Sequence, residues 1–346
     1  MPKTIRNVFL DKLEYIYFYE AHLRAVKNKR HKDEVVLFEI DLETNLSNLV
    51  ESIKNDTYHI GKYREFIIYE PKKRVIRSLP YKDRVVHQWY VEEFIKPYFI
   101  KRFIPDTCAC IENRGTHYAA LKVQKYMRIM KRNYNNYYIL KCDVKKYFYS
   151  IDKNILMNIM NRKISDELLL NFTKKLIFDD SGDIGIPIGN YTSQYFANIY
   201  LNELDHYVKE TLRVKYYVRY MDDFILLLKD KEEAKYMLEK IQRFLEDKLK
   251  LELNQKTRYY PNHLGCNFCG FVIYETHMAL RKRSKKVIKR NIKLWNKEYD
   301  AGILNLYHTR MRWNSWCNHA AHAQTYNLRC KMYNEIKFKE LLREPK

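Results

Sequence analysis

The stretch RYMDDFILLL, residues 219–228, places two adjacent carboxylates, Asp222 and Asp223, between apolar runs. Such runs around a short polar break read as two buried strands joined by a turn. Lys215 to Leu228 is therefore expected to form a hairpin with both acids exposed at its tip. Like charges side by side repel, and metal binding is the usual reason to keep them together. Upstream, YYILKCDVKKYF (137–148) reads as a buried strand running into a polar loop at Asp143. Downstream, EEAKYMLEKIQRFLEDKLK (232–250) has the apolar spacing of an amphipathic helix, and FCGFVI (268–273) reads as another short strand.

Farther out, residues 4–55 carry helical periodicity, for example at Leu10, Leu13, Ile16 and Tyr17. YREFIIYEPKKRVIR (63–77) is β-like on both sides of a Pro-Lys-Lys turn, a hairpin with basic residues near its tip. Residues 81–100 and 116–132 read as helices, and GIPIG (185–189) as a turn before a helix through Ser193, Phe196, Ile199 and Leu204. From Leu280 onward the chain is helical and very basic, with seven cations among ten residues in RKRSKKVIKR (281–290). Acid-bearing strands with helices interleaved in a β-α-β-β-α-β order predict an α+β fold, a ferredoxin-like sheet backed by helices. That order brings Asp143 and the Asp222–Asp223 pair to one sheet edge. A site with two Mg2+ ions roughly 4 Å apart needs carboxylates arranged in that way, one ion activating a 3′-hydroxyl and the other holding triphosphate oxygens.

With 346 residues, 46% of them hydrophobic, the chain can bury a sizeable core. Its 64 Lys and Arg against 42 Asp and Glu give a formal charge of +22, interleaved with 31 Tyr and 16 Phe. Cations supply affinity for phosphates and rings stack on bases, so the composition points to nucleic acid. From charge alone, a basic surface that only keeps the chain soluble stays open. Seven cysteines at irregular spacing argue against a disulfide framework and for a reducing compartment. No apolar run approaches the roughly 20 residues of a membrane span, and no signal-like stretch follows MPKTIR, so a cytoplasmic protein with no membrane partner is expected. Cys266 and Cys269 form a C-x-x-C pair that Cys317 and His319 would complete as a zinc site on paper; the alternative is that Cys269, in an apolar strand, is a small hydrophobe.

KCDVKKYFYSID (141–152), GIPIGNYTSQYFANIYLNELD (185–205), RYMDDF (219–224), LELNQKT (251–257) and FCGF (268–271) stand in the order and approximate spacing of the palm motifs of reverse transcriptases, and the chain resembles that family over residues 60–275. EPKKRVIRSLPYKDRVVHQ (70–88) resembles the fingers segment of the bacterial enzymes. RGTHYAALKV (114–123) and WNSWCNHAAHAQTYNL (313–328) resemble especially those of diversity-generating retroelements. The resemblance implies a right-hand polymerase with fingers, a ferredoxin-like palm and a basic helical thumb. Its divisions are an N-terminal helical extension at 1–60, fingers at 61–142, palm at 143–275 with fingers–palm helices at 153–185, and thumb at 276–346.

Carried over by position, the resemblance implies Asp143 and Asp222 as the principal ligands of two Mg2+ ions, with Mn2+ a substitute. Val144 offers a backbone carbonyl, and Asp223, the pair's second member, supports the catalytic metal site; the alternative for Asp223 is a solvated turn residue. Phe148 takes the place of the ring beneath the sugar, which favours deoxynucleotides. Lys72 and Arg74 match positions that clamp the incoming triphosphate, and Lys256 a general acid for pyrophosphate. Phe268 to Phe271 resemble the primer grip, and the basic C-terminal helices a thumb that holds a duplex through its phosphates. His319 and His322 read as packing or RNA-contacting residues.

Ile188 before Gly189 departs from the Gln that most reverse transcriptases have there, and Gln194 stands where many relatives have Pro. The retroelement group shares both features. An alkyl group near the nascent pair removes a polar constraint, so low selectivity is expected, especially opposite template adenine. The implied partners are a template RNA, the cDNA primer–template duplex, dNTPs and a basic pentameric accessory protein, since no extra RNA-binding, RNase H or endonuclease segment is expected. Two other readings stay open: a defence-associated bacterial reverse transcriptase acting on a dedicated noncoding RNA, and a catalytically idle RNA-binding relative.

Overall fold

The computed structural model describes residues 4–69, 72–179 and 182–344. In chain order, α1 (Tyr15–Ala25), α2 (Asp33–Ile40) and α3 (Leu42–Lys54) precede strands β1 (Arg64–Ile68) and β2 (Arg74–Ser78). Helices α4 (Tyr81–Tyr90), α5 (Lys96–Phe99) and α6 (Thr116–Tyr134) lead to β3 (Tyr138–Asp143) and the single turn α7 (Tyr147–Ser150). Next come α8 (Lys153–Asn161), α9 (Glu167–Ile177), α10 (Tyr191–His206), β4 (Tyr217–Tyr220), β5 (Asp223–Leu228) and α11 (Lys231–Leu249). The chain continues through β6 (Arg258–Pro261), β7 (Cys266–Phe268), β8 (Phe271–Ile273) and β9 (Met278–Leu280) to α12 (Lys282–Asp300), α13 (Leu306–Ala321) and α14 (Tyr326–Asn334). These elements form two compact units that interleave along the chain: residues 1–111, 143–215 and 239–256 in the first, and 112–142, 216–238 and 257–346 in the second.

The first unit is built on helices. Phe9, Phe18, Trp89, Phe94 and Phe172 are all buried, with Phe18 stacked on Trp89 at 4.6 Å between ring centroids. Asp166 joins two segments there. One carboxylate oxygen caps α9 by accepting from the Leu169 N–H at 3.1 Å, and the other accepts from the Val8 and Phe9 N–H groups at 2.7 and 3.0 Å. Asp152 likewise caps α8 through Asn154 and Ile155. Helix α10 is buried on nearly every side, as its run of Tyr, Phe, Ala, Ile and Leu requires. The β1–β2 hairpin pairs antiparallel from Arg64–Ser78 to Ile68–Arg74, and its strands are largely exposed. Glu70 and Pro71, part of the expected turn, lie outside the described residues.

The second unit holds a four-stranded sheet in the order β4-β5-β3-β6. Numbered from β3, that is 2-3-1-4, the strand order of a ferredoxin-like sheet, as the alternation of strands and helices predicts. Helix α6 packs on β4 and β5, with Tyr126 against Tyr216 at 5.3 Å. A second sheet runs β7-β8-β9. Here the expectation of one strand over 268–273 is corrected. Cys269 and Gly270 adopt left-handed φ angles of 47° and 93°, which turn the chain back so that Phe268 pairs with Phe271 across a two-residue hairpin loop. Helices α12 to α14 close on their own core of Ile288, Ile292, Trp295, Trp313 and Met332, leaving the cations of α12 on its other face.

The hairpin tip meets three histidines. The His117 ring stacks on His322 at 3.4 Å, His319 stacks on Phe271 at 4.6 Å, and a Cβ on Gly270 would lie 2.9 Å from the His319 ring. Burial, then the neighbouring histidines, holds the basicity of His117 below its ordinary value; burial, His322 and Arg281 do the same for His319. A base depressed in the folded state stays neutral there while the unfolded chain takes up protons. Its contribution is therefore complete above the unfolded pKa near 6.5 and is lost as pH falls below it. Unfolding temperature should drop between pH 7.5 and pH 5.5, and His319→Gln should flatten that dependence in thermal scans.

Candidate polymerase site

The acidic turn lies in the second unit. Tyr220 pairs with Asp223, so the loop of the β4–β5 hairpin is Met221 and Asp222 alone. Met221 sits at φ 57°, a left-handed conformation that costs a non-glycine residue about 1–2 kcal/mol and is tolerated where a site needs it. Beneath the turn, the fully buried Arg219 donates from Nη1 to the Met221 carbonyl at 3.0 Å. The acids are half-buried rather than fully exposed at a tip. Lys141 Nζ donates to Asp223 Oδ2 at 2.8 Å and to the Asn267 carbonyl of β7 at 2.8 Å. Lys141 was not among the residues singled out by sequence; its place two residues before Asp143, on the same face of β3, is the signal that marks it.

In the first unit, Asp143 begins a short pairing with residues 252–254. The Asp143 carbonyl accepts from Asn254 N–H at 2.7 Å and the Lys145 N–H donates to the Glu252 carbonyl at 2.9 Å. Val144 faces Leu253 across this bridge, and neither bond uses the Val144 carbonyl. LELNQKT is thereby brought to the Asp143 segment, with Lys256 exposed just beyond it and its N–H bonded to Asn254 Oδ1 at 3.1 Å.

The same unit gathers the other candidate nucleotide contacts. Phe148 is half-buried, and its carbonyl accepts from the Ile186 N–H at 2.8 Å, which ties it to the GIPIG turn. The Ile188 carbonyl accepts from the Arg77 N–H of β2 at 2.9 Å, so this turn is fastened to the exposed hairpin. Arg77 also lies over the Tyr63 ring at 4.4 Å. Gly189 has φ 137°, and a Cβ there would stand 2.4 Å from the Arg77 carbonyl oxygen. Lys72 and Arg74 are exposed on the arm of the same hairpin.

These placements join residues 72–88, 143–152, 185–194 and 251–256 in one unit, in the order of the motifs quoted above, and residues 62–273 match the model of the family described as reverse transcriptase (RNA-dependent DNA polymerase). The chain belongs to the reverse transcriptase family. Among curated relatives, the group II intron-encoded protein LtrA of Lactococcus lactis subsp. cremoris is 23% identical over 375 residues, covering 84% of this chain and 61% of the relative. Protein YkfC of Escherichia coli is 27% identical over 188 residues, covering 43% of this chain and 48% of that protein. The putative COX1/OXI3 intron 2 protein of Saccharomyces cerevisiae is 23% identical over 229 residues, 47% of this chain and 27% of that protein. This reverse transcriptase chain spans less than two thirds of the length of each of these relatives. Among solved structures, telomerase from Candida albicans in complex with a TWJ fragment of telomeric RNA aligns with 86% of this chain and 65% of its own at 12% identity and a TM-score of 0.49. Apo telomerase from Candida tropicalis aligns with 69% of this chain and 60% of its own at 14% identity and a TM-score of 0.46.

Reverse transcriptase domains generally use divalent metal ions. Among the described residues, no three His, Cys, Asp or Glu side chains are gathered closely enough to hold a metal ion. The C-x-x-C pair is not gathered with Cys317 and His319 into such a group: Cys266 is buried, which pushes its thiol up to about 12, and His319 packs on Phe271. No helix among the described residues is long and apolar enough to cross a membrane.

Proposed function

We propose that this chain is an RNA-directed DNA polymerase of the diversity-generating retroelement type, which makes cDNA from a retroelement template RNA and is error-prone at template adenines. Its domains are an N-terminal extension (1–60), fingers (61–142), palm (143–275) and thumb (276–346). Two Mg2+ ions, or Mn2+, would be held by Asp143 and Asp222 with the Val144 carbonyl, and when bound would activate the primer hydroxyl and neutralise the triphosphate. Hard oxygen donors suit these ions. Mg2+ is commonly held by one or two protein carboxylates and completes its octahedron with water and substrate phosphates, so a cluster of three acidic side chains is not required. The Lys141–Asp223 bond supports this reading, because it fastens the acidic turn to β3 two residues before Asp143.

Around those ions, Lys72 and Arg74 on the exposed hairpin contact the triphosphate, and the Phe148 ring limits space at the sugar. Lys256 donates a proton to the leaving pyrophosphate. The cations of α12 grip the backbone of the RNA–cDNA duplex, and a basic pentameric accessory protein completes the assembly. The observation that carries the retroelement assignment is Ile188. Its carbonyl accepts from the Arg77 N–H of the hairpin that carries Lys72 and Arg74, which supports reading its alkyl side chain as part of the nucleotide site, where the resemblance implies an amide in most relatives. The test is to sequence the cDNA made on the associated RNA by the wild type and by Ile188→Gln. Misincorporation opposite template adenine should exceed that opposite other bases and fall at least about threefold in the variant, a modest change in a single polar contact. An unchanged error spectrum would count against the assignment.

A further inference from the structure

We propose that Lys141 is a positioning residue that neutralises Asp223 and locks the acidic turn to the β7–β8 hairpin, so that the primer end and the metal ligands are set by one ammonium group. This deepens, and rests on, the reading of Asp222 as a metal ligand and of Phe268 to Phe271 as a primer grip.

The geometry is specific. One Nζ donates to the Asp223 carboxylate and to the Asn267 main-chain carbonyl, each at 2.8 Å, and lies 5.8 Å from the centroid of the Phe268 ring. The two partners belong to different sheets, the β4–β5 hairpin in one and β7 in the other. Lys141 and Asp223 are only 19% and 26% exposed, so their attraction is less screened than that of a surface pair. Asn267 is the middle residue of β7 and precedes Phe268 at the hairpin loop. Asp143 lies on the same face of β3, about 7 Å beyond Lys141 along the strand.

Two consequences follow from the charge. First, an ammonium group on Asp223 offsets the repulsion between the adjacent carboxylates of the turn. Secondly, Oδ2 of Asp223 is engaged by Lys141, which lowers what that carboxylate offers a metal. The pair therefore divides its labour: Asp222 is left to the ion and Asp223 to the protein. Removing the ammonium group exposes an uncompensated carboxylate near the ions, which should raise their affinity while the primer end loses its anchor. A merely structural lysine would not tighten metal binding when removed.

The experiment uses the full-length protein with a DNA primer on an RNA template. For Lys141→Met, the Mg2+ concentration giving half-maximal extension should fall at least about threefold, while the single-turnover rate falls about tenfold or more. In EDTA, 2-aminopurine near the primer end should become brighter in the variant complex, reporting a less ordered terminus without metal or catalysis. Lys141→Arg should restore both readouts most of the way, and Asp223→Asn combined with Lys141→Met should abolish the metal shift. Should Lys141→Met fail to fold, Lys141→Gln, which keeps a hydrogen-bond donor but carries no charge, gives the same metal readout. Unchanged Mg2+ half-saturation together with unchanged 2-aminopurine fluorescence would overturn the proposal. Persistent synthesis by Asp222→Asn would instead overturn the underlying metal-ligand reading, so the two failures are distinguishable.

Discussion

Asp222→Asn should abolish RNA-templated synthesis, with the single-turnover rate falling at least about a thousandfold, equivalent to ~4 kcal/mol of barrier. The substitution keeps the side chain's size and removes its charge. An amide is a weak ligand for Mg2+ and compensates none of the charge that the ions must bring to the triphosphate. The fold has little reason to respond, because the turn is held by the Tyr220–Asp223 register and by Arg219 on the Met221 carbonyl. Unfolding temperature and RNA affinity should therefore stay near wild type in thermal scans and filter binding. Asp223→Asn should cost less, about ten- to a hundredfold, because that carboxylate is already engaged by Lys141. Equal losses at the two positions would mean that both acids serve the ions directly.

The contrast between these neighbours also marks how far the sequence is legible. Apolar runs on either side of a two-residue break are a local signal, and the β4–β5 hairpin follows from them, as α11 follows from its 3.6-residue period. The division of roles proposed for Asp222 and Asp223 is not local. It depends on Lys141, 82 residues away, which reads as one lysine among many until the sheet order sets β3 beside β5. FCGFVI failed for a different reason. Phe, Cys, Phe, Val and Ile all favour a strand, and cysteine gives no warning of a left-handed turn, so only Gly270 signalled that the chain doubles back. His117, His319 and His322 lay in segments already notable for resembling the retroelement enzymes, but their mutual stacking needs α6 and α13 to meet at the hairpin tip.

Gly189→Ala should damage nucleotide use more than its size suggests. At φ 137° an L-residue is strained, and its Cβ would stand 2.4 Å from the Arg77 carbonyl oxygen and 3.2 Å from Ile76 Cγ2. The nearest obstacle is backbone, which cannot rotate away, so β2 must move and the Arg77–Ile188 bond must stretch or break. Two other glycines separate strain from collision. Gly182, at φ 101° with nothing among the described residues within 4 Å of its Cβ position, tests the backbone angle alone, and Gly185, at φ 91° with the Tyr149 carbonyl oxygen at 3.3 Å, adds a mild contact. Losses should therefore rank Gly189→Ala above Gly185→Ala above Gly182→Ala. Because β1 and β2 form an isolated, largely exposed two-stranded hairpin, little core depends on them, and the disturbance should remain local. Global unfolding temperature should drop by only a few degrees, while hydrogen exchange accelerates at the amides of Arg74 to Ser78. The KM for dNTP should rise about tenfold or more, as expected when ~1.4 kcal/mol or more of the triphosphate contact proposed for Lys72 and Arg74 is misplaced, with affinity for the primer–template duplex nearly unchanged. A uniform loss of duplex binding and unfolding temperature would show instead that the Ile188–Gly189 contact holds the first unit together rather than aligning its nucleotide site.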